Sequence, residues 1–323
     1  MSIVPSLSAR FASRLRFTPS PCAAVAVALV AAVLAGPARA QTEQAFQLCA
    51  GGGGTALDLQ IKACTALILS GDLNPTNLAV AFDNRGVAYA TDHQYDRAIA
   101  DYDQATTLNP DDATAFDNRG LAYAAERQYD RAIASYDQAI KLSPKNAVFL
   151  DNRGLACAGK GQYDRAIADY DAALKLAPDA DVFYDRGNAY ADKHQYDRAI
   201  ADYDAALKLD PLSAAALNNR GLAEAGKGQY DRAIADYDRV IELVPKSAFA
   251  FNNRGLAYAE KGHDDRAIAD YNHAIKLDAN YAAAFYNRGL AKQRNGDTAG
   301  GTADIAKARH LDPAIGKSVE GGG

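Results

Sequence analysis

The residues best suited to chemistry in this sequence are aspartates in a recurring tripeptide, Asp-Tyr-Asp. The tripeptide stands at 101–103, 169–171, 202–204 and 236–238. Clustered carboxylates are the ligands that Ca²⁺ prefers. On a helix, however, Asp101 and Asp103 project about 200° apart and cannot converge on one ion. Arg97 lies four residues before Asp101, so we expect a solvent-exposed ion pair between these two side chains instead of a metal site.

Two further arrangements that could carry chemistry are also interpreted as structural. Gly51–Gly54 resembles a phosphate-binding loop, but no Lys-Ser or Lys-Thr follows it, and it lies between Cys49 and Cys64, so we interpret it as a hinge. No Gly-x-Ser-x-Gly, His-Glu-x-x-His or Cys-x-x-Cys occurs, and the five histidines are scattered. The sequence therefore predicts a protein that is not an enzyme and that holds no metal and no cofactor.

A pattern of 34 residues organises most of the chain and recurs seven times. Each copy carries the dipeptide Arg-Gly, and successive glycines are 34 residues apart, except for one step of 33. A fixed period of this length indicates a stacked array in which each copy contacts only its neighbours. The seven glycines are Gly86, Gly120, Gly154, Gly187, Gly221, Gly255 and Gly289.

One copy, residues 113–146, predicts two helices. Apolar residues return at helical spacing from Phe116 to Ala124 and again from Tyr129 to Ile140, which indicates two amphipathic helices of about 13 residues. Pro144 ends the second helix. The turn between the helices needs a left-handed residue. Glycine fills that place in four copies, and His93, Arg127 and His194 fill it in three.

These residues resemble the tetratricopeptide repeat (TPR) pattern, in which bulky, glycine, aromatic, alanine and proline positions recur in a fixed order. The resemblance implies an all-α fold, a right-handed superhelical solenoid of antiparallel helix pairs with a concave face lined by the first helix of each pair. The residue before glycine, commonly Leu in the family, is Arg85 or its equivalent here, and we expect it to pair with an aspartate of the second helix. The matching positions in the first copy are Phe82, Gly86, Tyr89, Ala98, Tyr102, Ala105 and Pro110.

Residues 1–40 have the features of a secretory signal peptide. They contain arginines but no acid, an apolar run from Cys22 to Gly36, and a final Ala-x-Ala, which predicts cleavage after Ala40. A membrane anchor is the alternative, but the apolar run is shorter than the roughly 20 residues that a bilayer requires. We therefore expect a mature chain without a membrane span that is periplasmic or secreted.

The cysteines are interpreted in the light of that export. Residues 41–78 are predicted to form an N-terminal cap with a Cys49–Cys64 disulfide, because the compartment is oxidising and the hinge lets the two cysteines meet. Unpaired thiols are the alternative. Residues 58–69 resemble a second helix without a proper first one. Cys157 takes an inward position that is Tyr in other copies, which predicts an inert buried thiol.

The array itself is predicted to occupy residues 79–315, followed by a disordered tail at 316–323. Its seven repeats are expected at about 79–112, 113–146, 147–179, 180–213, 214–247, 248–281 and 282–315.

The first helix of each pair carries one polar position at regular spacing, two residues before glycine. A side-chain amide offers donors and an acceptor, so a ladder of asparagines could bind the backbone of an extended peptide, similar to the ladders of peptide-binding TPR proteins. The alternative is that each amide bonds locally, within its own or the adjacent helix. The predicted peptide-binding residues are Asn84, Asn118, Asn152, Asp185, Asn219, Asn253 and Asn287.

Charge narrows the class of partner. The chain has a net charge of −5 with interspersed signs, so it lacks the basic stripe that nucleic-acid binding needs. Asp83, Asp117 and Asp151 border the ladder, and no cations are placed to clamp a C-terminal carboxylate. We expect a protein-interaction scaffold for a neutral or basic extended segment. The alternative is a structural solenoid that self-associates and has no peptide ligand.

Overall fold

The computed structural model describes residues 17–18, 37–51 and 55–316, and all regular secondary structure among them is α-helical. This confirms the predicted all-α class. The helices of these residues are, in order, α1 (Pro37–Cys49), α2 (Leu57–Ser70), α3 (Pro75–Thr91), α4 (Tyr95–Leu108), α5 (Ala113–Ala125), α6 (Tyr129–Leu142), α7 (Ala147–Gly159), α8 (Tyr163–Leu176), α9 (Ala180–Asp192), α10 (Tyr196–Leu209), α11 (Ala214–Gly226), α12 (Tyr230–Leu243), α13 (Ala248–Glu260), α14 (Asp264–Leu277), α15 (Ala282–Arg294) and α16 (Thr298–Leu311).

The helices fall into two compact units, one that ends at Pro178 and one that begins at Asp179. Within each unit, every helix packs most extensively against the partner of its own pair and then against the next pair. Short connections make the two helices of a pair antiparallel. The boundary between the units falls in the connection that the 33-residue step shortens. The observed pairing confirms the predicted TPR type of fold.

The helices of a pair approach so closely that glycine is required at the contact. A Cβ built on Gly120 would lie 2.5 Å from Cε1 of Tyr136, and Tyr136 is completely buried. Any side chain at Gly120 would therefore displace the largest core residue of the pair. The same Gly–Tyr contact forms at Gly86–Tyr102, Gly154–Tyr170, Gly187–Tyr203, Gly221–Tyr237 and Gly255–Tyr271.

The turn between the helices of a pair is left-handed in both kinds of copy. Gly161 has a φ of 74°, and Arg127, at the equivalent place in another copy, has a φ of 58°. A residue with a Cβ pays a conformational cost of roughly 1 kcal/mol there. His93 and His194 share this conformation, as the alignment of the copies predicts.

A further helix pair precedes the first full repeat. The pair comprises α1 and α2, and a disulfide joins Cys49 to Cys64. The expectation that the second of these helices lacks a proper first partner is wrong, because α1 fills that place. The sequence of α1 hid this helix, since its buried residues, Phe46 and Cys49, both lie in the last turn.

The predicted signal peptide and tail lie largely outside the described residues. Of residues 1–40 the structure describes 17–18 and the backbone of 37–40, so the predicted cleavage site after Ala40 falls within α1. The tail is described only at Gly316. None of the described helices combines the length and apolar character that a bilayer crossing requires.

Glu224 is a buried carboxyl group on α11, at the position where other copies carry tyrosine. Its side chain is 5% exposed, and its Oε2 has no hydrogen-bond partner among the described residues. Burial, reinforced by the negative charge of Asp236, raises the pKa of Glu224 to about 7. Ionisation of this carboxyl group therefore opposes folding.

We expect Glu224→Gln to remove a pH-dependent loss of stability. Because the pKa of Glu224 is higher in the folded than in the unfolded chain, its contribution is fully present below pH 4.5, the ordinary pKa, and is lost as the pH rises through about 7. Urea unfolding between these pH values should show a shallower decline in stability for the variant. Glu242→Gln, at an exposed glutamate, is the matched control and should leave the wild-type slope. Equal slopes for wild type and Glu224→Gln would contradict this account.

Candidate functional site

The residues of the predicted ladder occupy one equivalent position on the first helix of each pair. In the unit that ends at Pro178 they lie on α3, α5 and α7, and in the other unit on α9, α11, α13 and α15. Six of the seven are buried, and Asn287 is half-buried. Each is fixed by its place on the helix, two residues before the glycine that contacts the buried tyrosine.

The ladder side chains bond from one pair to the preceding one. Asn118 Nδ2 donates to Asp83 Oδ1 at 3.1 Å, and Asn152 Nδ2 donates to Asp117 Oδ1 at 3.0 Å. In the other unit, Nδ2 of Asn253 and of Asn287 donates to the Oδ1 of the asparagine 35 residues earlier, at 3.1 and 3.0 Å. The structure therefore forms the local bonds that the alternative interpretation predicts, and each of these bonds uses one of the two N–H groups of an amide.

Asn219 makes a different set of bonds because the preceding copy carries tyrosine in place of the usual acceptor. Its Nδ2 donates to the hydroxyl of Tyr184 at 3.0 Å and to Asn188 Oδ1 at 2.8 Å. Both N–H groups of this amide are thus used within the array.

Asn118 also bonds to the backbone of a separate, extended part of the chain. Its Nδ2 donates to the carbonyl oxygen of Thr18 at 2.7 Å, and its Oδ1 accepts from the N–H of Thr18 at 3.1 Å. Together with the bond to Asp83, these use both N–H groups and the oxygen of the amide. The side chain of Thr18 is exposed, so the contact recognises backbone and not side chain.

Phe17 adds an apolar contact beside this backbone pair. Its ring packs against the buried cluster that includes Val87, Ala90 and Ala122. These residues lie on α3 and α5, the helices that also carry Asp83 and Asn118. The surface formed by Asp83, Asn118 and this cluster, which we call the Thr18-binding surface, therefore combines a backbone-reading amide with an apolar contact.

The acidic residues beside the ladder are partly kept from ionising. Asp117 is buried on α5 next to Asn118, and burial raises its pKa to about 7, although the hydrogen bond from Asn152 lowers it. At neutral pH this carboxyl group is therefore present in both protonation states.

The arginine before each glycine lies at the interface of three helices. Arg153 donates to Asp169 through Nε at 2.9 Å and Nη2 at 2.6 Å, and to Asp137 through Nη1 at 2.7 Å. Asp169 belongs to its own pair and Asp137 to the preceding pair. This confirms the expected pairing with an aspartate of the second helix. The same double bridge forms at Arg220 and Arg254.

The predicted ion pair between Arg97 and Asp101 is wrong. Asp101 is 5% exposed and accepts two bonds from Arg85, because packing against α3 turns it away from solvent. Arg97 instead donates to the hydroxyl of Tyr89 at 2.9 Å. No group of three or more potential metal ligands comes together in the described part of the chain.

Sequence reasoning did not find Phe17 and Thr18. They lie within the predicted signal peptide, which was set aside as a processed segment, and nothing in their residue types distinguishes them from their neighbours. Cys157, by contrast, is buried as expected, and burial raises the pKa of its thiol.

Comparisons with known proteins agree with this geometry. A family model described as a tetratricopeptide repeat matches residues 84–147, 118–181 and 184–248, and one described as a TPR repeat matches residues 257–296. No curated protein matches the chain by sequence comparison.

Solved structures with the same fold cover large parts of the chain. The crystal structure of YrrB, described as a TPR protein with an unusual peptide-binding site, is 26% identical, with a TM-score of 0.51 over 57% of this chain and 95% of that one. A tetratricopeptide repeat protein from Parabacteroides merdae is 22% identical, with a TM-score of 0.60 over 75% of this chain and 95% of that one. The C-terminal part of a TPR protein from Cytophaga hutchinsonii is 19% identical, with a TM-score of 0.61 over 73% and 97%. The repeated helix pairs, their Gly–Tyr contacts and the family match together establish that this chain belongs to the tetratricopeptide repeat family.

Proposed function

We propose that the chain is a protein-interaction scaffold that binds an extended peptide along the ladder of Asn84, Asn118, Asn152, Asp185, Asn219, Asn253 and Asn287. TPR repeats typically serve as binding scaffolds and not as enzymes, and YrrB, a relative of the same fold, has a peptide-binding site. The observation that carries the proposal is the pair of bonds between Asn118 and the backbone of Thr18.

The backbone pair supports peptide recognition for a chemical reason. An amide that donates to the C=O and accepts from the N–H of one residue binds a backbone of any sequence. Asn152 and Asn253 each donate one bond to the preceding pair within the described residues, which leaves a second N–H and an oxygen for a ligand. Repeated along the array, such pairs would hold an extended segment at several points.

The charge of the surface favours a neutral or basic ligand. Asp83, Asp117 and Asp151 lie one residue before the ladder position in the first three copies. An acidic ligand would meet these carboxylates without a cation to offset the repulsion. A basic or neutral segment meets no such cost.

The ladder is tested by removing amides from three positions at once. We expect a chain with Asn118→Ala, Asn152→Ala and Asn219→Ala to bind a protein captured from an exported fraction at least tenfold more weakly than wild type, because each substitution removes backbone contacts. Gln104→Ala with Gln138→Ala, which removes exposed amides from second helices, is the matched control. Unchanged affinity of the triple variant would overturn the ladder model.

We further propose that the protein is exported to the periplasm or beyond. The Cys49–Cys64 disulfide supports an oxidising compartment, and the N-terminal sequence supports processing after Ala40. A cellular protein that keeps residues 1–40 and stays in the cytoplasm would contradict this proposal. Self-association stays a prediction, which light scattering of the chain at several concentrations would test.

A further inference from the structure

The contact of Phe17 and Thr18 with the array joins two parts of one chain that are about 100 residues apart, as Thr18 and Asn118 are. We propose that the segment around Phe17 and Thr18 is an intramolecular ligand of the Thr18-binding surface, which it closes for as long as it remains attached. This inference rests on the proposed function of the ladder, since it assigns the first occupant and the regulation of that same surface.

The bonds at Thr18 have the geometry of ligand recognition. Both bonds join a buried side-chain amide to the two backbone groups of a single residue. Backbone groups away from helices need such partners when they leave water. Asn118 in turn satisfies all of its bonding groups only when Thr18 is present, because Asp83 takes just one N–H.

Phe17 anchors the segment by burial of its ring. It packs against the cluster on α3 and α5 that includes Val87 and Ala90. An aromatic ring buries a large apolar area with few rotatable bonds, so it is an efficient anchor. A competing ligand for this surface should therefore carry an aromatic residue directly before the residue whose backbone Asn118 holds.

The sequence around Phe17 matches the charge of the surface. Arg10, Arg14 and Arg16 precede it, whereas Asp83 and Asp117 flank the ladder positions of α3 and α5. Opposite charges favour this docking and would favour the same class of free ligand. The N-terminal segment is thus of the basic class that the acidic ladder predicts.

Covalent attachment gives the segment an advantage over free ligands. A tethered ligand binds in an intramolecular step, so a free peptide must exceed its effective concentration before it can displace it. Cleavage after Ala40 would separate Phe17 and Thr18 from the array and end this competition. Processing would therefore convert a closed surface into an open one.

The first test measures protection of the segment in the unprocessed full-length chain. Trypsin cleaves after arginine, and the bond between Arg16 and Phe17 adjoins the bound residue. We expect Asn118→Ala to raise the rate of cleavage at this bond at least fivefold, because the segment loses its backbone partner. Asn253→Ala removes the same amide in the other unit and should leave the rate unchanged. Equal rates in wild type and Asn118→Ala would overturn the proposal.

The second test measures competition with a labelled synthetic peptide of residues 10–21. The full-length chain with Phe17→Asp, or with Thr18→Pro, which removes the donated N–H, should bind this peptide at least tenfold more tightly than wild type. Both substitutions lie outside the helical array, so they do not challenge its folding. Adding Asn118→Ala to either variant should abolish the gain.

The outcomes separate the two proposals. If wild type and Phe17→Asp bind the peptide equally, and Asn118→Ala weakens both, the groove function stands and intramolecular closure is overturned. If Asn118→Ala has no effect on peptide binding in the Phe17→Asp chain, the ladder function itself is overturned. If the peptide binds neither chain, the segment is no ligand and the inference fails.

Discussion

Replacing Arg153 by alanine should destabilise the unit that ends at Pro178 by about 3 kcal/mol, because the substitution leaves a buried carboxylate without its partner. Asp169 has a side chain that is 9% exposed and receives two bonds from the guanidinium. Its hydrogen bond is also the main reason that the pKa of Arg153 is raised. The bond to Asp137, which is 44% exposed, contributes less because water screens it. Urea unfolding monitored by circular dichroism measures the loss.

Arg119 provides the matched control for this prediction. It bonds to the neutral hydroxyl of Ser135 at 3.1 Å, where Arg153 meets a carboxylate, and to the half-exposed Asp103 at 2.9 Å. Its replacement by alanine strands no buried charge and should cost only about 1 kcal/mol. Arg153→Lys should fall between the two, since an ammonium group cannot form the two parallel bonds. Equal losses for Arg119→Ala and Arg153→Ala would contradict the assigned role of the buried charge.

Removing the Cys49–Cys64 disulfide should cost about 3 kcal/mol of local stability, the chain-entropy value for a closed loop of about 15 residues. We expect the double variant Cys49→Ala, Cys64→Ala to lose the packing of α1 on α2. Helices α3 to α8 should persist because their core contacts do not involve these cysteines. Hydrogen exchange should therefore accelerate in α1 and stay slow in α5.

A reducing agent supplies the control for the disulfide. It should have the same effect on the wild-type chain as the double substitution and no effect on the variant. Cys157→Ala removes the free buried thiol on α7 and should leave the response to reductant intact. Unchanged exchange of α1 in the double variant would show that packing alone holds the cap.

Most of the fold could be predicted because its determinants are local and repeated seven times. Gly120 and Tyr136 lie 16 residues apart, within one copy, and the left-handed turn at Arg127 is visible from the glycine at its equivalents. Helix α1 escaped because its burial depends on α2 and the disulfide, and not on a regular apolar pattern of its own. Arg97 was assigned to the wrong partner because helical spacing takes no account of the neighbouring helix that attracts Asp101.

The candidate site could be predicted only in part. Helical geometry placed the ladder residues on one face, but it could not show that each amide reaches the residue 35 positions earlier, as Asn118 reaches Asp83. That distance depends on the packing of one pair on the next. The contact with Thr18 spans a still larger separation, and no repeat accompanies it.

The double bridge of each arginine bears on the order in which the chain is made. Asp137 has already been synthesised when Arg153 leaves the ribosome 16 residues later, and Asp169 follows after 16 more. A nascent guanidinium therefore finds one carboxylate waiting behind it and acquires the second as the next helix emerges. Growth from the N-terminal end can complete the array one pair at a time, with a single unfinished bridge at its growing edge.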